Sequence, residues 1–494
     1  MLIRRLYSGA RPLCLCSCPH SHSLRVLRAV PTITSPTSHS SQWSPSPCHS
    51  RSHFSVDATL TSSAMGPSAS PYFCLKDYDC VGFDLDNTLL KYNIANMVKL
   101  SYELLARFLV EQKGYDPCHL LKPLNLDFLQ KGLTMDYEKG NVLQLSPDGS
   151  IHRACHGTKL LLDADIEEIY GKDKVYPLAQ EYTQNMLDAW NGPISEKIRS
   201  VMDHFDVSAA LAFARCVDNI DAKSENPPAD YNLYNDITDG LINMYQRDNF
   251  ANNTGGFFSA LKENPDKYLH RCSSNVRKWL EKLKSDKKVF LVTGSNEDFA
   301  SFTAKYCFGE DWKDLFDVVV FFARKPGFFT GRRPFISLVD GKESDIVQPE
   351  DVQLGKMYSQ GNWQDLYELF KKETNKKFPK CVYVGDNVLQ DVFAPDEFTR
   401  CDAVAISDEM RAEGVGDAKE YIDVLSSNTW GSYFYQKEDN PSLWCDIIRR
   451  HAAICVPSVD VLAERPLDFQ IQTFKSISPD PSQPIGFFPS APTK

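Results

Sequence analysis

Asp84 and Asp86 stand two residues apart in the pattern Asp-x-Asp-x-Thr, directly after the apolar segment 80–83. Side chains two residues apart on a strand face the same side, so both carboxylates can point into one site just beyond a strand. Two carboxylates that lie close together need a positive charge nearby. The alternative is that they only cap or turn the backbone, as Asp commonly does.

Complementary groups follow two later apolar segments. Thr293 and Gly294 come after segment 289–292, and they offer a hydroxyl and backbone amides that can approach a phosphate closely. Lys325 follows segment 318–321, and its ammonium can hold a phosphate and a nucleophilic carboxylate together. These residue types therefore suit the binding of a phosphate group.

Asp386 follows a fourth apolar segment, 381–384, and Asp391 lies five residues further on. Their oxygens would complete a site for a hard cation, which at a phosphate means Mg²⁺. Each residue alone has a structural explanation: the threonine as a helix cap, the lysine as a solvated charge and the aspartates as turn residues. Their joint occurrence at the ends of four predicted strands favours phosphate chemistry, because independent features agree.

The elements that must position these residues are strands that alternate with helices. Apolar residues recur at helical spacing over 276–283, behind the N-cap candidates Ser273 and Ser274, and a second helix is predicted over 365–370. This alternation predicts an α/β fold with a doubly wound parallel sheet, whose ligands bind beyond the carboxyl ends of the strands. The predicted buried strands are 79–83, 289–292, 318–321, 381–384 and 404–406.

About 200 residues separate the first two predicted strands, far more than a crossover helix needs, so we expect an inserted domain there. Its middle contains a predicted hairpin, with a strand over 140–145 and a turn over 147–150. The predicted organisation is an N-terminal extension over 1–64, a discontinuous core over 72–95 and 272–425, an inserted domain over 96–271, a C-terminal segment over 426–474 that packs on the core, and a loose tail over 475–494.

In order and spacing, the residues named above resemble the four-motif signature of the haloacid dehalogenase superfamily. Within that superfamily, segments 323–329 and 156–159 are similar to the cytosolic purine 5′-nucleotidase group, and the resemblance extends over roughly residues 72 to 490. It implies a haloacid dehalogenase-like core with a large cap domain inserted between the first and second motif strands.

The resemblance also implies hydrolysis of a phosphate monoester through an aspartyl-phosphate. Asp84 would be the nucleophile, and Asp86 would protonate the leaving alcohol and then activate water. Two close carboxylates do not both ionise easily, which agrees with a protonated Asp86. Mg²⁺ would be held by the Asp84 side chain, the Asp86 carbonyl and Asp386, with Asp391 in support. The further catalytic residues would be Thr293 and Lys325, and the phosphate would be bound by Thr293, Gly294 and Lys325.

The implied substrate is a small phosphate ester, in the first place a nucleoside monophosphate. Aromatic residues of the insertion either stack on a base or belong to the core. Gly294 departs from the pattern, because purine nucleotidases typically have Asn after the motif threonine; this departure concerns nucleotide specificity and not the phosphate chemistry. The aromatic candidates are Phe205, Phe213, Tyr231 and Tyr234.

Composition limits the partners of the chain. The net charge of −11 provides no basic field that would attract duplex nucleic acid. No apolar run approaches the roughly 20 residues of a membrane-spanning helix. The 15 cysteines include no Cys-x-x-Cys pair, which predicts reduced thiols in a reducing compartment. The sequence leaves open whether the chain forms a homo-oligomer.

The N-terminal extension has two interpretations. Residues 1–56 contain no Asp, Glu or Lys but many arginines and serines, a composition typical of an organelle transit peptide, which predicts a mitochondrial protein. Alternatively, translation begins at Met65 and the protein is cytoplasmic. In that case the start Met65-Gly66 with Ser70 fits the myristoylation pattern only loosely.

Three classes of function remain in competition at this point. The first is an enzyme, a 5′-nucleotidase or another small-molecule phosphatase. The second is a binding or scaffold protein that keeps the phosphatase fold with little turnover, and the presence of a competent residue at every catalytic position favours the enzyme over it. The third is a protein phosphatase, whose polypeptide substrate the large insertion would obstruct.

Overall fold

The computed structural model describes residues 70–187, 192–224, 226, 228–415, 425–437, 440–476, 480, 482 and 484–492. These residues belong to one compact unit. The predicted extension over 1–64 and the alternative start at Met65 lie outside them. In the described part of the chain, no helix has both the length and the apolar character that crossing a membrane requires.

The strands are short and are numbered in chain order. They are β1 (Tyr72–Phe73), β2 (Cys80–Phe83), β3 (Thr134–Asp136), β4 (Asn141–Leu145), β5 (Ile151–His156), β6 (Lys159–Leu160), β7 (Ile198–Ser200), β8 (Lys288–Val292), β9 (Val318–Phe321), β10 (Phe335–Val339), β11 (Lys342–Val347), β12 (Lys356–Gln360), β13 (Cys381–Gly385), β14 (Cys401–Ile406), β15 (Ala452–Val456) and β16 (Ile471–Gln472).

The helices include a π-helical segment, Val388–Phe393, directly after β13. Within the described residues the longer α-helices are Ile94–Lys113, Asp163–Tyr170, Pro177–Gln184, Ser208–Asp221, Tyr234–Tyr245, Ser274–Asp286, Glu297–Phe308, Trp363–Thr374 and Leu443–His451, and the shorter ones are Pro117–Leu120, Asn249–Asn252, Phe257–Glu263, Pro265–Tyr268, Gly327–Thr330, Ala394–Phe398, Glu409–Ala412 and Val459–Ala463.

The main sheet has nine strands within the described residues, in the order β11-β10-β12-β9-β8-β2-β13-β14-β15. From β12 to β15 in this order, all neighbouring strands are parallel to one another. Strand β10 pairs antiparallel with both β12 and β11, so β10 and β11 form an antiparallel edge. All five strands predicted from the sequence lie in the parallel part. The prediction of an α/β fold with a large parallel sheet is confirmed.

Helices cover both faces of this sheet. Val289 and Leu291 belong to one core cluster together with Trp279 of helix Ser274–Asp286. The residues between and after them, such as Phe290, belong to another cluster together with Leu366 of helix Trp363–Thr374. Alternate side chains of each strand therefore point into different cores, as the period of two residues requires.

Helix Ser274–Asp286 begins where the sequence predicts. Ser273 is its N-cap, and the backbone N–H of Val276 donates to the Ser273 hydroxyl at 3.3 Å. This bond satisfies one of the backbone donors that the first turn of a helix leaves without a partner. The helix then leads directly into β8, which carries Thr293 to the edge of the sheet.

A second, five-stranded antiparallel sheet has the order β6-β5-β4-β3-β7 and lies wholly within the predicted insertion. The predicted hairpin is confirmed, since β4 and β5 pair antiparallel across a turn. The sheet as a whole was not predicted, because β3, β6 and β7 have only two or three residues each and show no periodicity. The domain boundaries around it stay a prediction.

The C-terminal residues add to both parts of the fold. Strand β15 extends the main sheet beside β14, while the indole N–H groups of Trp430 and Trp444 donate to the Phe128 and Gly132 carbonyls of the insertion, each at 2.8 Å.

The tail after 475 is not loose throughout, in contrast to the prediction. Phe487 is buried, and the backbone N–H of Cys455 donates to the Gly486 carbonyl at 2.8 Å. Gly486 and Phe487 are therefore held against strand β15, although the tail is rich in Ser and Pro.

Gly82 allows close packing at the centre of the main sheet. It lies between its register partners Phe290 of β8 and Tyr383 of β13, whose rings are stacked at 6.2 Å between centroids. A β-carbon at position 82 would lie 2.2 Å from the Phe290 ring and 2.8 Å from the Tyr383 ring. Only glycine therefore fits this position without displacing an aromatic side chain.

We expect Gly82→Ala to lower the free energy of unfolding by about 1–3 kcal/mol, the usual cost of overpacking a core. Denaturant unfolding measures this. Gly327→Ala is the matched control, since a β-carbon there meets no heavy atom within 4 Å, and its effect should stay within about 0.5 kcal/mol. Equal stability of the Gly82→Ala variant and the wild type would contradict the packing described here.

Candidate active site

The four strands that carry the predicted site residues are direct neighbours in the main sheet, in the order β9-β8-β2-β13. They run parallel, so their carboxyl ends lie at the same edge. Asp84 follows β2, Lys325 follows β9, and Asp386 follows β13. Residues that are up to about 300 positions apart in the sequence are thereby brought together.

Lys325 lies between two of the predicted acids. Its ammonium is 2.9 Å from Asp84 Oδ1 and 2.7 Å from Asp391 Oδ1. It also donates to the Tyr383 hydroxyl at 3.1 Å, and that hydroxyl in turn donates to the Val292 carbonyl at 2.6 Å. The lysine head group is thus held by groups from β2 and β13 and the residues that follow them, and it lies where a clamp between nucleophile and phosphate would be needed.

Asp391 depends on a glycine for its place. The side chain sits on the π-helical segment after β13, and its Oδ2 accepts from the Asn387 N–H at 3.1 Å. A β-carbon on Gly385 would lie 2.4 Å from the Asp391 β-carbon. Glycine at position 385 therefore lets Asp391 come close to the strand and reach Lys325.

The buried acids outnumber the buried cation. Burial raises the pKa of Asp386 well above its usual value, and burial raises the pKa of Asp391 to about 7, although Lys325 opposes it. Burial alone would lower the pKa of Lys325, but the Asp391 and Asp84 carboxylates outweigh it and the pKa lies well above its usual value. One ammonium does not neutralise three carboxylates, so the site favours a further positive charge.

The acids have a geometry that fits a divalent cation. Single carboxylate oxygens of Asp84, Asp386 and Asp391 all lie within 4.8 Å of one another. Asp386 Oδ2 is buried and has no hydrogen-bond partner among the described residues. A buried carboxylate oxygen without a partner is costly unless an ion or water binds it. A set of carboxylate oxygens is also the donor set that Mg²⁺ prefers.

Asp86 lies beside Asp84 but outside this trio. The Tyr92 hydroxyl donates to its Oδ1 at 2.7 Å and the Ser295 hydroxyl donates to its Oδ2 at 2.6 Å. Burial, followed by the Asp84 charge, raises the pKa of Asp86 to about 6. Asp86 can thus keep a proton in mildly acidic conditions, in which an ordinary aspartate is ionised. Sequence reasoning did not single out Tyr92, since nothing in the sequence links it to Asp86.

Thr293 and Gly294 have different places in the structure. Thr293 is fully buried, and its hydroxyl accepts from the Ser295 N–H at 3.1 Å, so this hydroxyl holds the turn after β8. Gly294 and Ser295 line the cavity at the acids, whereas Thr293 is not among the lining residues. The structure therefore brings the backbone of the turn, and not the Thr293 side chain, to the cavity wall.

The cavity at the acids has a volume of about 240 Å³. The predicted site residues other than Thr293 line it, and so does a group of aromatic residues that we call the aromatic wall. Of the four aromatic candidates only Phe205 lines it, while Phe213, Tyr231 and Tyr234 are buried in the insertion. Sequence reasoning missed the rest of the aromatic wall, because its residues have the same burial and spacing as core residues. The additional lining residues are Asn87, Asp203, Tyr245, Arg247, Phe250, Phe257, Phe258, Asn296, Phe299, Asn387 and Gln390.

Segment 156–159, which carried part of the family resemblance, lies in the five-stranded sheet and not at the cavity. His156 hydrogen bonds through Nδ1 to Asn141 Oδ1 at 2.7 Å, and its Nε2 is 3.0 Å from Asp221 Oδ2. Thr158 donates through its hydroxyl to Asp218 Oδ2 at 2.7 Å. These contacts join β5 to the end of helix Ser208–Asp221, so the segment has a structural place in the insertion.

A buried ion pair lies on the side of Asp386. The Lys131 ammonium of the insertion is 3.0 Å from Glu409 Oε1, and the two side chains are 5% and 2% exposed. Burial alone would lower the pKa of Lys131, but Glu409 and then Asp386 outweigh it and raise the pKa. Burial and the Lys131 charge lower the pKa of the neighbouring His204 to about 3, so this imidazole is neutral. Lys131 thus adds positive charge on the side of Asp386.

Comparison with known proteins places the chain among related sequences. The profile of the 5′ nucleotidase family matches residues 72–421. The chain is 35% identical over 450 residues to 5′-nucleotidase domain-containing protein 1 of Bos taurus, a match that covers 85% of this chain and 97% of that protein. The Homo sapiens protein of the same name is 35% identical over 453 residues. The 5′-nucleotidase domain-containing protein 2 of Homo sapiens is 27% identical over 327 residues, or 64% of this chain and 58% of that protein.

We expect Lys131→Met to lower the free energy of unfolding by about 3–5 kcal/mol, because it leaves the Glu409 carboxylate buried without its cation. The double variant Lys131→Met/Glu409→Gln should recover much of this loss, since no charge is then left unpaired. Denaturant unfolding of the wild type, Lys131→Met, Glu409→Gln and the double variant forms a double-mutant cycle.

The control for this cycle is the exposed pair of Lys371 and Glu368, at 2.7 Å on one face of a helix. Lys371→Met should change the free energy of unfolding by at most about 0.5 kcal/mol. Additive effects of the two substitutions in the buried pair would show that Lys131 and Glu409 do not interact as described.

Proposed function

The chain belongs to the 5′ nucleotidase family and is a phosphoric monoester hydrolase, and from this premise we propose that it hydrolyses a nucleoside monophosphate with Mg²⁺ through an aspartyl-phosphate on Asp84. The observation that carries the proposal is the buried trio of Asp84, Asp386 and Asp391, two of which contact Lys325, with one oxygen of Asp386 that has no hydrogen-bond partner among the described residues. The site provides a nucleophile, a clamp and room for a cation at the base of one cavity.

The first step transfers the phosphoryl group to the protein. The Asp84 carboxylate attacks phosphorus, and the bond from phosphorus to the ester oxygen breaks. Lys325 holds Asp84 and neutralises charge on the phosphoryl oxygens, which is the main requirement of this reaction type. Asp86 gives its proton to the departing ester oxygen, a role that suits a carboxyl with a pKa of about 6.

The second step restores the protein. Asp86, now a carboxylate, takes a proton from water, and the water oxygen attacks phosphorus. The bond from phosphorus to Asp84 breaks, and phosphate leaves. Mg²⁺ would be held by the Asp84 and Asp386 carboxylates and the Asp86 carbonyl, with Asp391 beside them, and when bound it neutralises negative charge at the phosphoryl group.

The insertion would act as a cap on a haloacid dehalogenase-like core. The backbone leaves the core near Tyr92 and returns near Leu269, which agrees with the predicted cap over 96–271. The cap residue Phe205 contributes to the aromatic wall of the cavity that the acids also line. Such a wall excludes water and offers rings on which a base can stack. A cavity of about 240 Å³ suits a small ester and not a folded polypeptide.

We expect Asp84→Asn to reduce phosphate release from nucleoside monophosphates by about 10³-fold or more. Chelation of Mg²⁺ should abolish release in the wild type, and added Mg²⁺ should restore it. Acid quenching with substrate labelled in the phosphate should leave label on the wild-type protein and none on the variant. The assay is run with a panel of nucleoside monophosphates and sugar phosphates.

Asp340→Asn is the control for the loss of one negative charge, because Asp340 is exposed and its φ of 50° is readily adopted by Asn. This variant should retain wild-type turnover. Full activity of Asp84→Asn or activity in excess chelator would refute the mechanism. No release from any member of the panel would instead favour a scaffold function.

We expect Phe205→Ala to reduce kcat/KM for a nucleoside monophosphate about 10-fold relative to ribose 5-phosphate, since stacking on one base contributes roughly 1–3 kcal/mol. Ribose 5-phosphate keeps the phosphate and the sugar but lacks the base. Because the ratio is taken within one variant, general damage to the protein cancels. An unchanged ratio would exclude Phe205 from base recognition.

A further inference from the structure

Both carboxyl oxygens of Asp86 are held by hydroxyl groups. Tyr92 donates to Oδ1 and Ser295 donates to Oδ2, at 2.7 Å and 2.6 Å. Ser295 lines the cavity, whereas Tyr92 is only 2% exposed. A carboxyl group on its own rotates easily about its last torsion, because that torsion has broad minima. With a donor on each oxygen, the plane of the Asp86 carboxyl is fixed.

Tyr92 is itself fixed at the place where the chain passes from the core into the insertion. It pairs with Leu269 as an antiparallel bridge, at the point where the chain returns. On either side of this pair, the Asn93 N–H donates to the Tyr268 carbonyl at 2.8 Å and the His270 N–H donates to the Lys91 carbonyl at 2.9 Å. The two connections thus form a short ribbon with Tyr92 in its middle.

The Tyr92 ring is also held by packing. It meets the Phe205 ring edge to face at 5.2 Å between centroids, and Phe205 lines the cavity. The backbone ribbon and this ring contact leave the hydroxyl in one position. Tyr92 therefore has a fixed backbone and a fixed ring, which a residue needs if it is to orient another side chain within a fraction of an ångström.

We propose that Tyr92 is a positioning residue for the proton transfer by Asp86, in which its hydroxyl, together with that of Ser295, holds the carboxyl plane so that the acidic proton faces the leaving ester oxygen. This inference rests on the proposed function, since it needs Asp86 as the general acid. Tyr92 keeps its own proton throughout: the proton that moves belongs to the Asp86 carboxyl and is regained from water. General acid catalysis depends on this placement, because the acid must lie within hydrogen-bonding distance of the leaving atom.

The test uses two leaving groups of different basicity. An alcohol that leaves from a nucleoside monophosphate needs a proton, whereas p-nitrophenolate leaves from p-nitrophenyl phosphate without one. The constant kcat/KM covers the steps up to departure of the leaving group, so hydrolysis of the aspartyl-phosphate does not enter it. We expect Tyr92→Phe to lower kcat/KM about 10-fold or more for the nucleotide and to leave that for p-nitrophenyl phosphate within about 3-fold of the wild type, because only the first needs the oriented acid.

Three further variants make the outcome decisive. Ser295→Ala should show the same preference for the good leaving group, and Asp86→Asn should show it most strongly. Tyr102→Phe is the matched control: this tyrosine is also 2% exposed, its hydroxyl donates to the Leu120 carbonyl at 2.6 Å, and it is not among the residues that line the cavity at the acids. It should affect both substrates equally if it affects them at all.

The outcomes separate the positioning role from the proposed mechanism. If Asp86→Asn shows the leaving-group preference but Tyr92→Phe lowers both substrates alike or neither, the positioning role of Tyr92 is refuted and the mechanism stands. If Asp86→Asn shows no such preference, the assignment of Asp86 as the acid fails and the role of Tyr92 fails with it. Thermal unfolding of Tyr92→Phe, compared with Tyr102→Phe, measures the structural part of the effect.

Discussion

Three buried carboxylates that lie close together, two of them paired with one ammonium, are the constraint on which the rest of this structure depends. Asp84, Asp386 and Asp391 lie together at one edge of the main sheet, where Lys325 contacts Asp84 and Asp391. Charges in such a place are costly, so their positions must be fixed by the surrounding structure. The strand order does this, because the four strands that carry the site are direct neighbours and parallel. Gly385 shows how closely the backbone is adapted, since a β-carbon there would displace Asp391.

The parallel core could be predicted because its strands are continuous apolar runs, as in segment 289–292, and because helices with clear caps separate them. The outer strands could not. Strand β11 has the sequence Lys-Glu-Ser-Asp-Ile-Val and lies at an exposed edge, where no burial imposes a hydrophobic pattern. The very short strands of the second sheet are fixed by pairing between distant segments, such as β3 with β7, and pairing of this kind leaves no local trace in the sequence.

Some residues of the candidate site could likewise be predicted from the sequence, and others could not. The acids and Lys325 could be predicted, because each follows a recognisable strand and the residue types are complementary. Their partners could not. Lys131 is one of 54 basic residues in the chain, and only its burial against Glu409 distinguishes it from a solvated lysine. Thr293 lies at the predicted strand end, where its hydroxyl accepts from the Ser295 N–H, and its predicted role in phosphate binding stays a prediction.

Phe205 connects the proposed nucleotide site with the proposed positioning of Asp86 by Tyr92. It lines the cavity at the aromatic wall, and its ring packs on Tyr92, whose hydroxyl donates to Asp86. If a base stacks on that wall, the same contact that binds the base also braces the residue that orients the acid. Binding energy from a part of the substrate remote from phosphorus would then stabilise the geometry of proton transfer. A phosphate ester without a base forgoes this contact, which provides a physical reason for a preference for nucleotides that does not depend on the residue at position 294.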